Sequence, residues 1–173
     1  SSGKTLLSMN IAENIAVENK EAVAVFSLEM GKAQLAERLM SSHSGVDSQK
    51  IRKRMLGGDD FMRLQDSCSK LSEAPLYIDD TPGLSILALR AKARRLAARY
   101  GIKAIMIDYL QLMSDPGSES RQQEVSNISR NVKGLARDLN VPVCLSCRRG
   151  CMPRGLSGGG PRTPRGTSAQ WSA

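Results

Sequence analysis

Apolar positions alternate between two spacings along most of this chain. Leu7, Ile11 and Ile15 recur every four residues, which predicts an amphipathic helix directly behind the opening "SSGKT". "AVAVFSL" at 22–28 is a short continuous apolar run, the length of a buried strand. Lys32–Ser42 carries Leu35, Leu39 and Met40 on one helical side. Asp47 is placed to cap a helix containing Ile51 and Met55, and Asp59 one with the stripe Phe61, Leu64, Cys68, Leu71. "PLYID" reads as a strand. Ser85 caps a helix with Ile86, Leu89, Ala93, Leu96 and Tyr100, which Gly101 ends. "KAIMID" at 103–108 is a strand. Val125, Ile128, Val132, Leu135 and Leu139 line a last helix before the strand "VPVCLS" at 141–146. Met30, Met40, Met55 and Met62 read as core or boundary fillers.

Strands apolar on both faces that alternate with helices predict an α/β fold: a parallel sheet flanked by helices. After Ser146 the texture changes. Residues 147–173 hold six Gly, three Pro, five Arg and no acid. Such a segment buries too little apolar surface to offset its ordering entropy, so it is expected to be a disordered tail. Its abrupt start suggests an out-of-frame or truncated product. The net charge of +8 invites a nucleic-acid reading, but removing the tail's five Arg leaves +3 for residues 1–146. The Arg and Lys of "RAKARRLAARY" lie opposite its apolar stripe, the ordinary solvated face of a helix. No apolar run is long enough to span a membrane and no secretory leader opens the chain, so a soluble, cytoplasmic protein is expected. Cys144, Cys147 and Cys151 form C-x2-C-x3-C, but Cys68 and His43, the other thiol and imidazole, lie far upstream, which argues against a four-ligand zinc site.

The chemistry concentrates at three points. "SSGKT" is the end of a phosphate-binding loop: backbone N–H groups at a helix start bind anionic oxygens, with Ser2 and Gly3 in the loop. Lys4 would reach the β- and γ-phosphates, and the Thr5 hydroxyl would ligate Mg²⁺. The first glycine of the full pattern and the strand before it do not occur in the chain. Asp108, ending an apolar strand, suits a Walker B carboxylate that holds the Mg²⁺ shell beside Thr5; the alternative is a strand-end Asp that caps a turn. Glu29 follows a buried strand. From spacing it is equally a carboxylate that activates the attacking water and a solvated Glu at the start of the next helix. Asp79 and Asp80 end another strand, where Asp-Thr-Pro-Gly favours a turn role.

In order and spacing, "SGKT", "FSLEM", "YIDDTPGLS", "IMIDYLQLM" and "ISRNVKGLARDLNVPV" resemble the C-terminal RecA-like ATPase domain of DnaB-type replicative DNA helicases over residues 1–146. The resemblance implies a RecA-like P-loop NTPase core that binds ATP and Mg²⁺. It implies a homo-hexameric ring that hydrolyses nucleotide while moving on single-stranded DNA, with primase and a helicase loader as partners at the replisome. It implies nucleotide binding by Ser2, Gly3, Lys4 and Thr5, metal binding by Thr5 and Asp108, and Glu29 as the catalytic carboxylate. In the family a Gln that senses the γ-phosphate follows the last strand. Here Ser146 matches and Cys147 stands in that Gln's place. The DNA-contacting loop, the arginine finger and the N-terminal helical domain have no counterpart. The expectation is a partial domain, incomplete at both ends and without ATP turnover by itself. Two other readings stay open: a RecA-like ATPase without unwinding activity, recombinase-like or regulatory, and a catalytically inactive product that associates with nucleic acid through its tail.

Overall fold

A computed structural model describes residues 3–108 and 121–146. The tail and residues 109–120, with the "YLQLM" string, lie outside the described residues. The four strands are β1 (Val23–Ser27), β2 (Leu76–Asp79), β3 (Ala104–Asp108) and β4 (Val143–Leu145). They form one parallel sheet in the order β2-β1-β3-β4, with Phe26 opposite Asp79, Ser27 opposite Asp108 and Ile107 opposite Leu145. The helices are α1 (Lys4–Glu13), which runs on through a π-helical turn at Asn14–Glu18, then α2 (Lys32–Ser44), α3 (Ser48–Lys53), α4 (Gly58–Glu73), α5 (Ile86–Tyr100) and α6 (Arg121–Leu139).

Every residue of β1 and β3 is buried, and their side chains alternate between two cores. Phe26, Ile105 and Ile107 pack with Leu89 of α5 and Ile128, Val132 and Leu135 of α6. On the other face Val23, Val25, Ala104 and Met106 pack with Met9, Ala12 and Ala16 of the first helical segment and Leu35 and Leu39 of α2. A sheet covered on both faces is the reason these strands are apolar throughout rather than alternating.

Local cap chemistry forms where it is expected. The Asp47 carboxylate accepts from Gln49 N at 2.8 Å, the Ser85 hydroxyl accepts from Ala88 N at 3.3 Å, and Gly101 ends α5 at φ 64°. The faces of two helices differ from the spacing argument. On α1 the buried face is Ser8, Met9, Ala12 and Glu13, while Leu7 is 63% exposed and Ile11 38%. Alanines 12 and 16 let the backbone approach the sheet, and the π turn after Glu13 adds a residue to the period. Glu13 is tolerated inside because its carboxylate meets His43 Nδ1 of α2 at 2.8 Å. On α4 the stripe Phe61, Leu64, Cys68, Leu71 is not the buried one: Phe61 and Cys68 are exposed, Leu64 and Leu71 half-buried, and Ser67 is buried. Asp59 is not its cap either. The helix begins at Gly58, and Asp60 reaches back to Gly57 N at 3.3 Å. Met55 lies beyond α3, after Arg54 turns left-handed at φ 55°, and with Met62 it is exposed rather than filling a boundary. The basic face of α5 is partly engaged: Arg90 and Arg94 share Asp138 of α6 at 3.0 and 2.9 Å, and Lys92 holds Asp79.

Candidate nucleotide site

The functional candidates gather at the carboxyl edge of the sheet because of strand parity. Asp108 shares the face of Ala104 and Met106, and Ser27 that of Val23 and Val25; both faces look toward α1. Ser146 follows Cys144, which borders the same core. Ser27, Asp108 and Ser146 therefore make a row of buried polar side chains, 1%, 6% and 7% exposed, across three adjacent strand ends. Ser146 Oγ donates to Asp108 Oδ1, and Ser146 N donates to Ile107 O at 3.0 Å. The other carboxylate oxygen, Oδ2, is buried and has no partner among the described residues.

The chain leaves the π turn and enters the amino end of β1 after a short link, with Glu21 N bonded to Ile15 O at 3.1 Å. The helical segment consequently runs antiparallel to the strands. At about 1.5 Å per residue it spans the height of the sheet, so its first residues lie at the carboxyl edge. Gly3 caps it in the left-handed region, φ 60°, which a glycine adopts without steric cost. Gly3 has no side chain with which to cap this helix, and the first turn holds no acid to meet the positive end of its dipole. Lys4 and Thr5 are half-buried there. Ser2 lies outside the described residues.

Glu29 is exposed, two residues past β1. Its loop is tied at the base: Ser27 Oγ donates to Met30 O at 2.7 Å and accepts from Met30 N at 3.3 Å, while Leu28 N donates to Asp108 O at 2.7 Å. The loop bearing Glu29 is thus joined through backbone to the end of β3. Asp79 turns back on Thr81 and binds Lys92 Nζ at 2.6 Å, whereas Asp80 accepts from Lys32 N at 2.9 Å. Burial alone would raise the Asp79 pKa, but the bonds from Lys92 and Thr81 together outweigh it and hold the carboxyl below its ordinary value. The sequence marks Ser27 only as a serine at the end of an apolar run; the pairing of β1 with β3 brings it opposite Asp108.

A buried carboxylate oxygen without a partner among the described residues suits a hard cation, and a glycine-capped helix start suits an anionic phosphate. The model of the DnaB-like helicase C-terminal domain matches residues 1–152. The chain belongs to this family. It is 46% identical over 143 residues to the replicative DNA helicase DnaC of Bacillus subtilis (strain 168), covering 82% of this chain and 32% of that relative. It is 48% identical over 145 residues to the replicative DNA helicase DnaB of Nostoc sp. (strain PCC 7120), covering 83% of this chain and 16% of that one. This DnaB-family chain therefore spans about a third or less of the length of these relatives. A solved DnaB-like replicative helicase, described with its interactions with primase, superposes at TM-score 0.78 with 31% identity, over 88% of this chain and 39% of that one. A second solved structure, described as an ATPase domain, superposes at 0.77, also 31% identical, over 88% and 58%. The RecA-like α/β expectation agrees with these neighbours. Among the described residues no helix is long and apolar enough to cross a membrane.

Proposed function

We propose that this chain is the nucleotide-hydrolysing part of a replicative DNA helicase. The observation that carries the reading is the buried Oδ2 of Asp108, without a partner among the described residues, on the sheet face that α1 covers. In this reading Ser2, Gly3, Lys4 and Thr5 bind the phosphates of ATP. Thr5 and Asp108 hold Mg²⁺, which when bound neutralises charge on the β- and γ-phosphate oxygens. Lys4 adds a fixed cation to the phosphates. Glu29 orients the attacking water and takes its proton. Ser146 donates to Oδ1, and Oδ2 of Asp108 would be the oxygen available to Mg²⁺.

Hydrolysis would drive movement along single-stranded DNA in a homo-hexamer. The relatives' names as replicative helicases and the primase named with one structural neighbour support the remaining assignments by resemblance: a replisome-associated, cytoplasmic protein that meets primase and a helicase loader.

The test uses the protein expressed from its complete reading frame. Glu29→Gln keeps nucleotide affinity and lowers turnover by about 10²–10⁴-fold, the usual contribution of general-base catalysis. Lys4→Ala and Asp108→Ala lose binding as well as turnover. A Glu29→Gln protein with undiminished ATP hydrolysis would refute the assignment of roles. Strand displacement on a forked duplex then separates a helicase from an ATPase that does not unwind; hydrolysis without displacement would favour the latter.

A further inference from the structure

Helix α2 begins at Gly31, which has no side chain with which to cap it. The cap comes from the turn after β2. Asp80, 48 residues away and just past the carboxyl end of β2, accepts from Lys32 N at 2.9 Å through Oδ2. The same oxygen lies 3.8 Å from where a Cβ on Gly31 would sit, an ordinary contact distance. A carboxylate at this point also meets the positive end of the helix dipole.

The four residues between β1 and α2 are Leu28, Glu29, Met30 and Gly31. Their near end is fastened by Ser27 Oγ to Met30, their far end by Asp80 to Lys32. Asp80 is itself held on a braced turn. Asp79 Oδ1 accepts from Thr81 N at 3.0 Å and from Thr81 Oγ1 at 2.6 Å, and Lys92 Nζ of α5 donates to Asp79 Oδ2 at 2.6 Å and Thr81 Oγ1 at 2.7 Å. The turn after β2 is thus bonded on one side to α5, through Asp79 and Thr81, and on the other to the start of α2, through Asp80.

We propose that Asp80 is a positioning residue for Glu29: its carboxylate clamps the start of α2 and so fixes where the Glu29 carboxylate stands relative to Asp108. The proposal rests on Glu29 having the catalytic role proposed above. A cap that only stabilised α2 would be equally served by any side chain on α2 itself. Here the acceptor comes from the turn that follows β2, the strand beside β1, so the bond sets the path of the connecting loop as well as the helix end.

The experiment compares Asp80→Ala, Asp80→Glu, Asp80→Asn, Glu29→Gln and the Asp80→Ala/Glu29→Gln pair in the protein expressed from its complete reading frame. It reads steady-state ATP hydrolysis and amide exchange at Lys32. Misplacing a reacting group by about 1 Å costs up to about 10²-fold, so Asp80→Ala is expected to lower kcat by roughly 10- to 100-fold with KM changed less than about threefold. Asp80→Asn, which keeps an acceptor oxygen, restores most of kcat. Asp80→Glu, which moves the oxygen by one methylene, falls between and serves where the alanine variant does not fold. In the Glu29→Gln background Asp80→Ala has no further effect on kcat, and Lys32 exchange accelerates in Asp80→Ala alone or combined. An unchanged kcat in both Asp80→Ala and Asp80→Glu, or the same fold-loss with and without Glu29, would overturn the proposal and leave Asp80 a helix cap. If Glu29→Gln itself hydrolyses ATP at the normal rate, the assignment of Glu29 fails and the proposal with it; that result is told apart because the Lys32 amide still responds to Asp80→Ala.

Discussion

Ser146 and Asp108 meet where β4 and β3 end, and the pair is buried. Ser146→Ala would leave a second carboxylate oxygen of Asp108 without its donor. An unsatisfied buried polar group costs about 1–3 kcal/mol, and each kcal/mol lowers Tm by roughly 2–4 °C in a chain of this size. The expected Tm loss is therefore a few degrees or more, measured by thermal unfolding without nucleotide. In an Asp108→Ala background the serine has no carboxylate to serve, so the same substitution should be nearly neutral; equal losses in the two backgrounds would contradict the pairing. Asp108 itself was legible from sequence, because an apolar run ending in Asp presents that group at a strand tip. The partnership with Ser146 was not, since it joins residues 38 apart and depends on the register of β3 with β4. Asp80 was hidden for the same reason: Asp-Thr-Pro-Gly announces a turn, and Thr81 does bond Asp79, but nothing local says that the second aspartate reaches across to α2.

Among the elements, those whose ends are set by local chemistry were the most readable. Gly101 terminates α5 at φ 64° with no atom within 4 Å of an added Cβ, so the cost of Gly101→Ala is backbone strain alone. A left-handed residue with a Cβ costs about 1–2 kcal/mol, which predicts a Tm drop of roughly 2–8 °C and no change in nucleotide affinity. Helix faces were less readable. A four-residue spacing of large aliphatics marks a helix, but on α1 the alanines and a π turn decide which side meets the sheet, and Leu7 stays outside. The turn after β2 allows a test by acid. The Asp79 carboxyl titrates below its ordinary 3.8, held down by Lys92 and Thr81 against the opposing effect of burial. Its contribution to stability is present above about pH 4 and lost as pH falls through the folded-state pKa. Lys92→Met removes the largest of the lowering bonds. Denaturant midpoints of the variant should then fall less steeply than those of the parent between neutral pH and pH 3. Parallel pH curves would show that the ion pair does not contribute to folding.

For the whole molecule, sheet order sets a gradient of stability. β1 is hydrogen-bonded to β2 on one side and β3 on the other, and both β1 and β3 are buried throughout. β4 has three residues, all half-buried, and one neighbour among the described residues; α3 buries none of its six. Opening free energies follow burial, so amides of Phe26 and Met106 are expected to exchange only by global unfolding, at about 5 kcal/mol or more, and those of α3 and Ser146 by local opening at a fraction of that. Ser146 joins this gradient to function, because its amide bonds Ile107 and its hydroxyl bonds the carboxylate proposed to hold Mg²⁺. A ligand that binds only the closed arrangement stabilises it by RT ln(1 + [L]/Kd), about 2.7 kcal/mol at a hundred times Kd. In the protein expressed from its complete reading frame, saturating Mg²⁺ with a non-hydrolysable ATP analogue should therefore slow Ser146 exchange by up to about 100-fold while leaving α3 unchanged. Slowing at α3 without slowing at Ser146 would mean that nucleotide engages a different edge of the sheet. Equal slowing throughout would mean that β4 already opens only with the core, and the gradient argued from strand order would not hold.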